Sequence, residues 1–139
     1  YNYRMTNLQA ALGFAQMQRI SEISRDRRRI LNLYINALKK FKLKNIRLIT
    51  PKYQEINEIT PWIVQIEILS DKTVNQVMKF LYKKGIDSRP MFSPIDTFPY
   101  IENNRSLKPS RTLKNMFLPL HNKLSESDIF YIVECLEEI

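Results

Sequence analysis

Hydrophobic positions in the first forty residues recur with a helical period. From Thr6 to about Lys40 there is no proline, and Gly13 is the only interruption. Apolar residues fall at Leu8, Ala11, Leu12, Ala15, Ile20, Ile23, Ile30, Leu31, Tyr34, Leu38 and Phe41, a helical spacing with small drifts. The pattern predicts one long helix, with room for a bend. Thr6 caps its start, and Gln9, three residues on, completes a capping box. At up to ~35 residues it would reach about 50 Å, more than a small domain needs for its own core. Such a helix is expected to lean on another domain or a partner chain.

The remaining pattern is mixed. Residues 42–60 read as a loop with Pro51 and a short apolar patch from Ile46 to Ile49. In Trp62-Ile63-Val64-Gln65-Ile66-Glu67-Ile68, positions 62, 64, 66 and 68 point one way and Gln65 and Glu67 the other, which predicts a strand with one buried face. Ser70 or Asp71 can cap a helix from about Lys72 to Lys84, with Val74, Val77, Met78 and Leu81 inward, and Gly85 supplies a left-handed stop. Ile86 to Phe92 reads as a second strand, and Pro90 marks it as an edge. Residues 93–108 read as a loop with buried aromatics Phe98 and Tyr100. A short helix is expected around Pro109 to Asn115, then a brief strand from Met116 to Leu120. In the last helix Ser125 is the cap, Asp128 the third helical residue, and Leu124 can staple to Ile129.

This order predicts an α+β fold: a long N-terminal helix, then a small, mostly antiparallel sheet with helices on one face. The expected division is residues 1–44, the connecting helix, and 45–139, the small domain. A length of 139 residues suits one domain with a real core.

Charge adds one temptation. There are 22 Lys+Arg against 14 Asp+Glu, a net charge of +8, and Arg25-Asp26-Arg27-Arg28-Arg29 forms a basic run. No helix-turn-helix, RNA-binding aromatic pair or zinc spacing accompanies it. One His and one Cys give no metal-ligand set, and with only Gly13 and Gly85 there is no glycine-rich phosphate loop. The lone Cys135 forms no internal disulfide, and no apolar run is long enough to span a bilayer. The chain is expected to be cytoplasmic, with no nucleic-acid or membrane partner.

Chemistry concentrates at three motifs. The first is Asn2-Tyr3-Arg4-Met5-Thr6-Asn7-Leu8-Gln9-Ala10-Ala11-Leu12-Gly13, which sets an amide and a guanidinium just before a helix cap; both suit anionic oxygens. The second is Gly85-Ile86-Asp87-Ser88-Arg89-Pro90-Met91-Phe92-Ser93-Pro94. The third is Leu118-Pro119-Leu120-His121, followed by Leu124-Ser125 and Asp128-Ile129. Together, in this order, they resemble the DegT/DnrJ/StrS family of pyridoxal-phosphate (PLP) aminotransferases, most nearly those of the perosamine-synthase type.

The resemblance implies the C-terminal small domain of the type I PLP aminotransferase fold, with the large PLP-binding domain and its Schiff-base lysine outside this chain. The lack of an initiator Met fits that expectation. It implies that Asn2 reaches the PLP phosphate of the neighbouring subunit, and that Arg4 and Arg89 meet the substrate. Asp96 falls at a substrate-contact position where many members carry His. His121 reads as structural. No residue here is expected to be catalytic, and the chain alone is expected to hold no PLP stably. The implied longer enzyme is a homodimer that moves an amino group, from glutamate, to a nucleotide-linked keto sugar for polysaccharide or glycan biosynthesis. Two other readings stand beside it: a truncated, non-catalytic dimerisation module, and a basic nucleic-acid-binding protein.

Overall fold

The computed structural model describes residues 3–49, 59–94, 98 and 114–139. Helix α1 runs Asn7–Gln18 and α2 runs Ile20–Phe41. Strands β1 (Ile46–Ile49) and β2 (Val64–Ile68) follow, then α3 (Val74–Lys83), β3 (Arg89–Pro90), β4 (Asn115–Leu118) and α4 (Glu126–Glu137). The sheet order is β1-β2-β4-β3, and each neighbouring pair is antiparallel. Because β4 lies between β2 and β3, the β2-α3-β3 unit is a split crossover.

Register explains how the sheet sorts its side chains. Val64 faces Leu118, Ile66 faces Met116 and Leu48, and Ile68 faces Ile46. With Leu48 packed against them, these residues form one core with Ile30, Leu31, Tyr34 and Ala37 of α2, Val77 and Leu81 of α3, and Ile129, Ile132, Val133 and Leu136 of α4. The helices therefore cover a single face, as expected of this α+β class. On the second face, Gln65 pairs with Phe117 and Phe117 with Arg89, while Arg47 pairs with Glu67 and Glu67 with Asn115. Glu67 is buried and forms an ion pair with Arg47.

The expected single N-terminal helix is two. Arg19 ends α1 with φ −107° and ψ 9°, and its N–H donates to the Gln16 carbonyl at 3.0 Å. The small phase drifts in the apolar pattern correspond to this break. The Thr6–Gln9 capping box is present in both directions. No residue of α1 is buried, whereas α2 buries Ile30, Leu31, Tyr34 and Ala37. The large apolar side chains of α1, Leu8, Leu12, Phe14 and Met17, lie on more than one side of the helix and are all exposed, which suits a covered setting better than a solvent-facing one.

Other differences are local. The Ile46–Ile49 patch, read as loop, is β1, because β2 supplies a partner edge. Thr73, not Ser70 or Asp71, caps α3, with Gln76 closing the box. Gly85 follows that helix at φ +79°, the left-handed stop expected of it. The second strand shrinks from Ile86–Phe92 to Arg89–Pro90, since Pro90 has no N–H to donate. Trp62 lies outside β2 and is exposed, not buried with Val64, and Phe98 is exposed. Tyr100 and residues 109–113 of the expected short helix lie outside the described residues; Asn115, at that helix's expected end, opens β4. Ser125 and Asp128 cap α4 as expected, with Leu124 and Ile129 both buried.

Candidate functional site

The turn through Gly85 delivers Asp87, Ser88 and Arg89 to the edge of the sheet. There they form one wall of a groove of about 590 Å³. Phe117, Leu118 and Pro119 of the β4 end, and His121, Asp128 and Tyr131 beyond it, line the rest. The Arg89 side chain is 75% exposed and donates to Asp87 Oδ2 at 3.2 Å. A guanidinium carries five donors, so this contact leaves others available to an anion. Ser88 is buried, and its Oγ has no hydrogen-bond partner among the described residues. Asp128 is held below the ordinary carboxylate range, first by the Ser125 side chain and backbone N–H bonded to it, and further by His121 nearby.

The groove wall is braced from behind. Tyr34 Oη donates to the Pro119 carbonyl at 3.0 Å, and Arg29 donates to the Leu124 carbonyl at 3.3 Å. Both ends of the turn carrying His121 are thereby tied to α2. Tyr131 Oη donates to the Lys84 carbonyl at 3.0 Å, joining α4 to the segment that precedes Gly85.

Beside the groove, on the second face of the sheet, lies an aromatic cluster. Trp62 and Phe92 stack at 6.0 Å and 17°; Phe117 meets Phe92 edge-on at 5.5 Å and Trp62 at 6.4 Å. Phe117 is only 8% exposed, whereas Trp62 and Phe92 are 61% and 62% exposed. Phe117 also lines the groove and is the register partner of Arg89. The cluster and the groove therefore meet at Phe117.

Of the four residues singled out for binding, two are described. Arg4 is exposed just ahead of the α1 cap, and Arg89 stands at the groove. Asn2 and Asp96 lie outside the described residues. The aromatic cluster escaped sequence reasoning, because its members come from three separate segments and only the register brings them together. A usable signal was the lone Trp62 directly before a strand.

The basic run is used by the fold. Arg28 donates to the Ile59 carbonyl at 3.1 Å, Arg27 to the Pro61 carbonyl at 3.5 Å, and Arg29 to Leu124. Ser24 Oγ and Thr60 Oγ1 share a hydrogen bond at 2.9 Å in the same strip. No metal-ligand cluster and no helix long and apolar enough to cross a membrane occurs among the described residues.

This arrangement, three helices on one face of a small antiparallel sheet with α1 extending beyond them, is that of the aminotransferase small domain. The sugar aminotransferase CalS13 from Micromonospora echinospora shares the fold, with a TM-score of 0.79 at 18% identity, over 99% of this chain and 36% of that one. At the sequence level, the model of the DegT/DnrJ/EryC1/StrS aminotransferase family matches residues 1–137. The chain belongs to that family, whose members use PLP. It is 30% identical to the GDP-perosamine synthase of Caulobacter vibrioides, over 100% of this chain and 38% of that protein. It is also 30% identical to the GDP-perosamine synthase of Escherichia coli O157:H7, over 99% of this chain and 37% of that one. The chain thus spans under two-fifths of the length of these relatives.

Proposed function

We propose that this chain is the C-terminal portion of a PLP-dependent aminotransferase that aminates the keto group of a nucleotide-linked sugar. The observation that carries the reading is the continuous similarity to GDP-perosamine synthases, over the whole of this chain at 30% identity. The longer protein would draw its amino group from glutamate, work as a homodimer in the cytoplasm and serve polysaccharide or glycan biosynthesis. The division into a connecting helix, residues 1–44, and a small domain, residues 45–139, belongs to the same reading.

The groove's residues suit the anionic parts of such ligands. Arg89 can hold phosphate oxygens bidentately, and the buried Ser88 hydroxyl can donate one further hydrogen bond. The described residues lining this groove include no lysine, so they do not supply the amine that PLP's aldehyde needs. That amine, and the cradle that orients the cofactor, are assigned to the rest of the longer protein. PLP supplies the electron sink for amino transfer. The contribution of this chain is binding: Asn2 at the PLP phosphate of the neighbouring subunit, with Arg4, Arg89 and Asp96 at the substrate.

Two experiments test the reading. The longer coding sequence, expressed whole, should show PLP-dependent amination of a nucleotide-linked keto sugar; no amino transfer to any such sugar would overturn it. The 139-residue chain alone, mixed with PLP and dialysed, should keep no internal-aldimine absorbance. A persistent band traced to one lysine would overturn the assignment of the Schiff-base lysine elsewhere.

A further inference from the structure

We infer that the Trp62–Phe92 pair is the platform on which the base of a nucleoside diphosphate stacks, with its phosphates led toward Arg89. The inference rests on the nucleotide-sugar reading above and names a part of the ligand, and two residues, that the reading leaves unassigned.

Three observations combine. First, Trp62 and Phe92 are near-parallel, at 17°, and both are more than half exposed. Large aromatic side chains usually gain by burial, and here only Phe117, beneath them, has been buried. Second, both rings rest against the buried Phe117 ring. The separations are 5.5 and 6.4 Å, and the position of Phe117 is fixed by pairing with Gln65 on one side and Arg89 on the other. A platform supported in advance loses less conformational freedom when a planar ligand settles on it. Third, Arg89 leaves the same register position and carries an exposed guanidinium at the mouth of the groove.

Flat apolar rings and a fork of cationic donors, both bordering Phe117, match a ligand that is itself a flat ring joined to an anion. A nucleoside diphosphate has that form. A polypeptide segment would gain more from aliphatic side chains than from two near-parallel rings, and a bare phosphate has no use for them. Two of the relatives named above are GDP-perosamine synthases, so guanine is the base to test.

The chain's composition makes the test direct, because Trp62 is its only tryptophan. Its fluorescence, and its single indole N–H resonance, report this position alone. Titration of the chain with GDP should quench the emission saturably and shift the indole resonance. Mannose 1-phosphate, which has phosphate but no base, should do neither. Phe92→Ala should weaken the GDP response on the order of tenfold, in line with the loss of one stacking partner. Phe92 is exposed, so the variant should keep the wild-type circular dichroism spectrum. Arg89→Gln should weaken GDP and leave guanosine unchanged. No saturable change with GDP, or an equal response to mannose 1-phosphate, would overturn the platform. If the longer protein still aminates a nucleotide sugar, the platform alone is wrong and the proposed function stands.

Discussion

Tyr34 donates its phenolic hydrogen to the carbonyl of Pro119 across 3.0 Å, tying the middle of α2 to the exit of β4. Tyr34 is fully buried, and burial, followed by the nearby charge of Asp128, pushes its phenol above the ordinary range. It therefore stays a donor at neutral and mildly alkaline pH. Tyr34→Phe keeps the ring and strands the carbonyl. The expected cost is about 1–2 kcal/mol, read as a lower urea midpoint with an unchanged denaturant slope. An unchanged midpoint would show that water replaces the phenol freely.

The arginines of α2 lead to a second expectation. Arg28→Ala removes a charged donor from the Ile59 carbonyl, and the pair is only partly buried. A loss of about 1 kcal/mol follows, below the full value for a buried charged hydrogen bond. Because Arg27, Arg28 and Arg29 are engaged with backbone carbonyls, DNA retention should be weak and should vanish at physiological salt. Tight binding that Arg28→Ala abolishes would contradict this use of the run.

A third expectation concerns acid. Asp128 accepts from the Ser125 N–H at 2.8 Å and from its hydroxyl at 2.7 Å, and these bonds lower its pKa. A lowered folded pKa means that the charged cap stabilises fully above the unfolded value, about 3.9. That stabilisation is lost as pH falls through the lower folded value. Asp128→Asn keeps a side-chain acceptor and removes the charge. The stability gap between wild type and Asp128→Asn should be open at neutral pH and close in acid. A gap constant over that range would rule out the charge as its source.

Lys42 offers a stabilising change. It ends α2 in the left-handed region, at φ 52° and ψ 42°, with its N–H bonded to the Leu38 carbonyl at 3.1 Å. A residue with a Cβ pays about 1 kcal/mol there, and glycine does not. Lys42→Gly should raise stability by about 0.5–1 kcal/mol after the extra freedom of the unfolded chain is set against it. A lower melting temperature would show that the Lys42 side chain makes up for its strained backbone.

Much of this fold can be read from local chemistry. Thr6 with Gln9, Ser125 with Asp128, and Gly85 act within a few residues of themselves, so their roles are visible in sequence. Thr73 with Gln76 has the same spacing as Thr6 with Gln9 and is equally legible, whereas Ser70 and Asp71 lack a Gln or Glu three residues on. What the sequence withheld depends on distant partners. Ile46–Ile49 becomes a strand only because β2 offers a free edge, and Trp62 leaves the core because Phe92 and Phe117 meet it on the other face. In the candidate site, Arg89 stands out from its motif. Its neighbour Phe117, twenty-eight positions away, becomes visible only through the pairing of β3 with β4.

Helix α1 is 12 residues long and buries none of them. That is at or below the length at which an isolated helix holds in water. Its order is therefore expected to come largely from whatever covers Leu8, Leu12, Phe14 and Met17, and if a second copy does so, folding of this segment and assembly would be one thermodynamic event. Helix content should then rise with protein concentration, in step with sedimentation coefficient, and Leu12→Glu should suppress both together. Full helicity in a dilute monomer would separate the two processes. If they are coupled, the loop bearing Arg4, joined directly to the α1 cap, takes its working position only after association. The end of the chain proposed to bind anions would then be assembled by mass action.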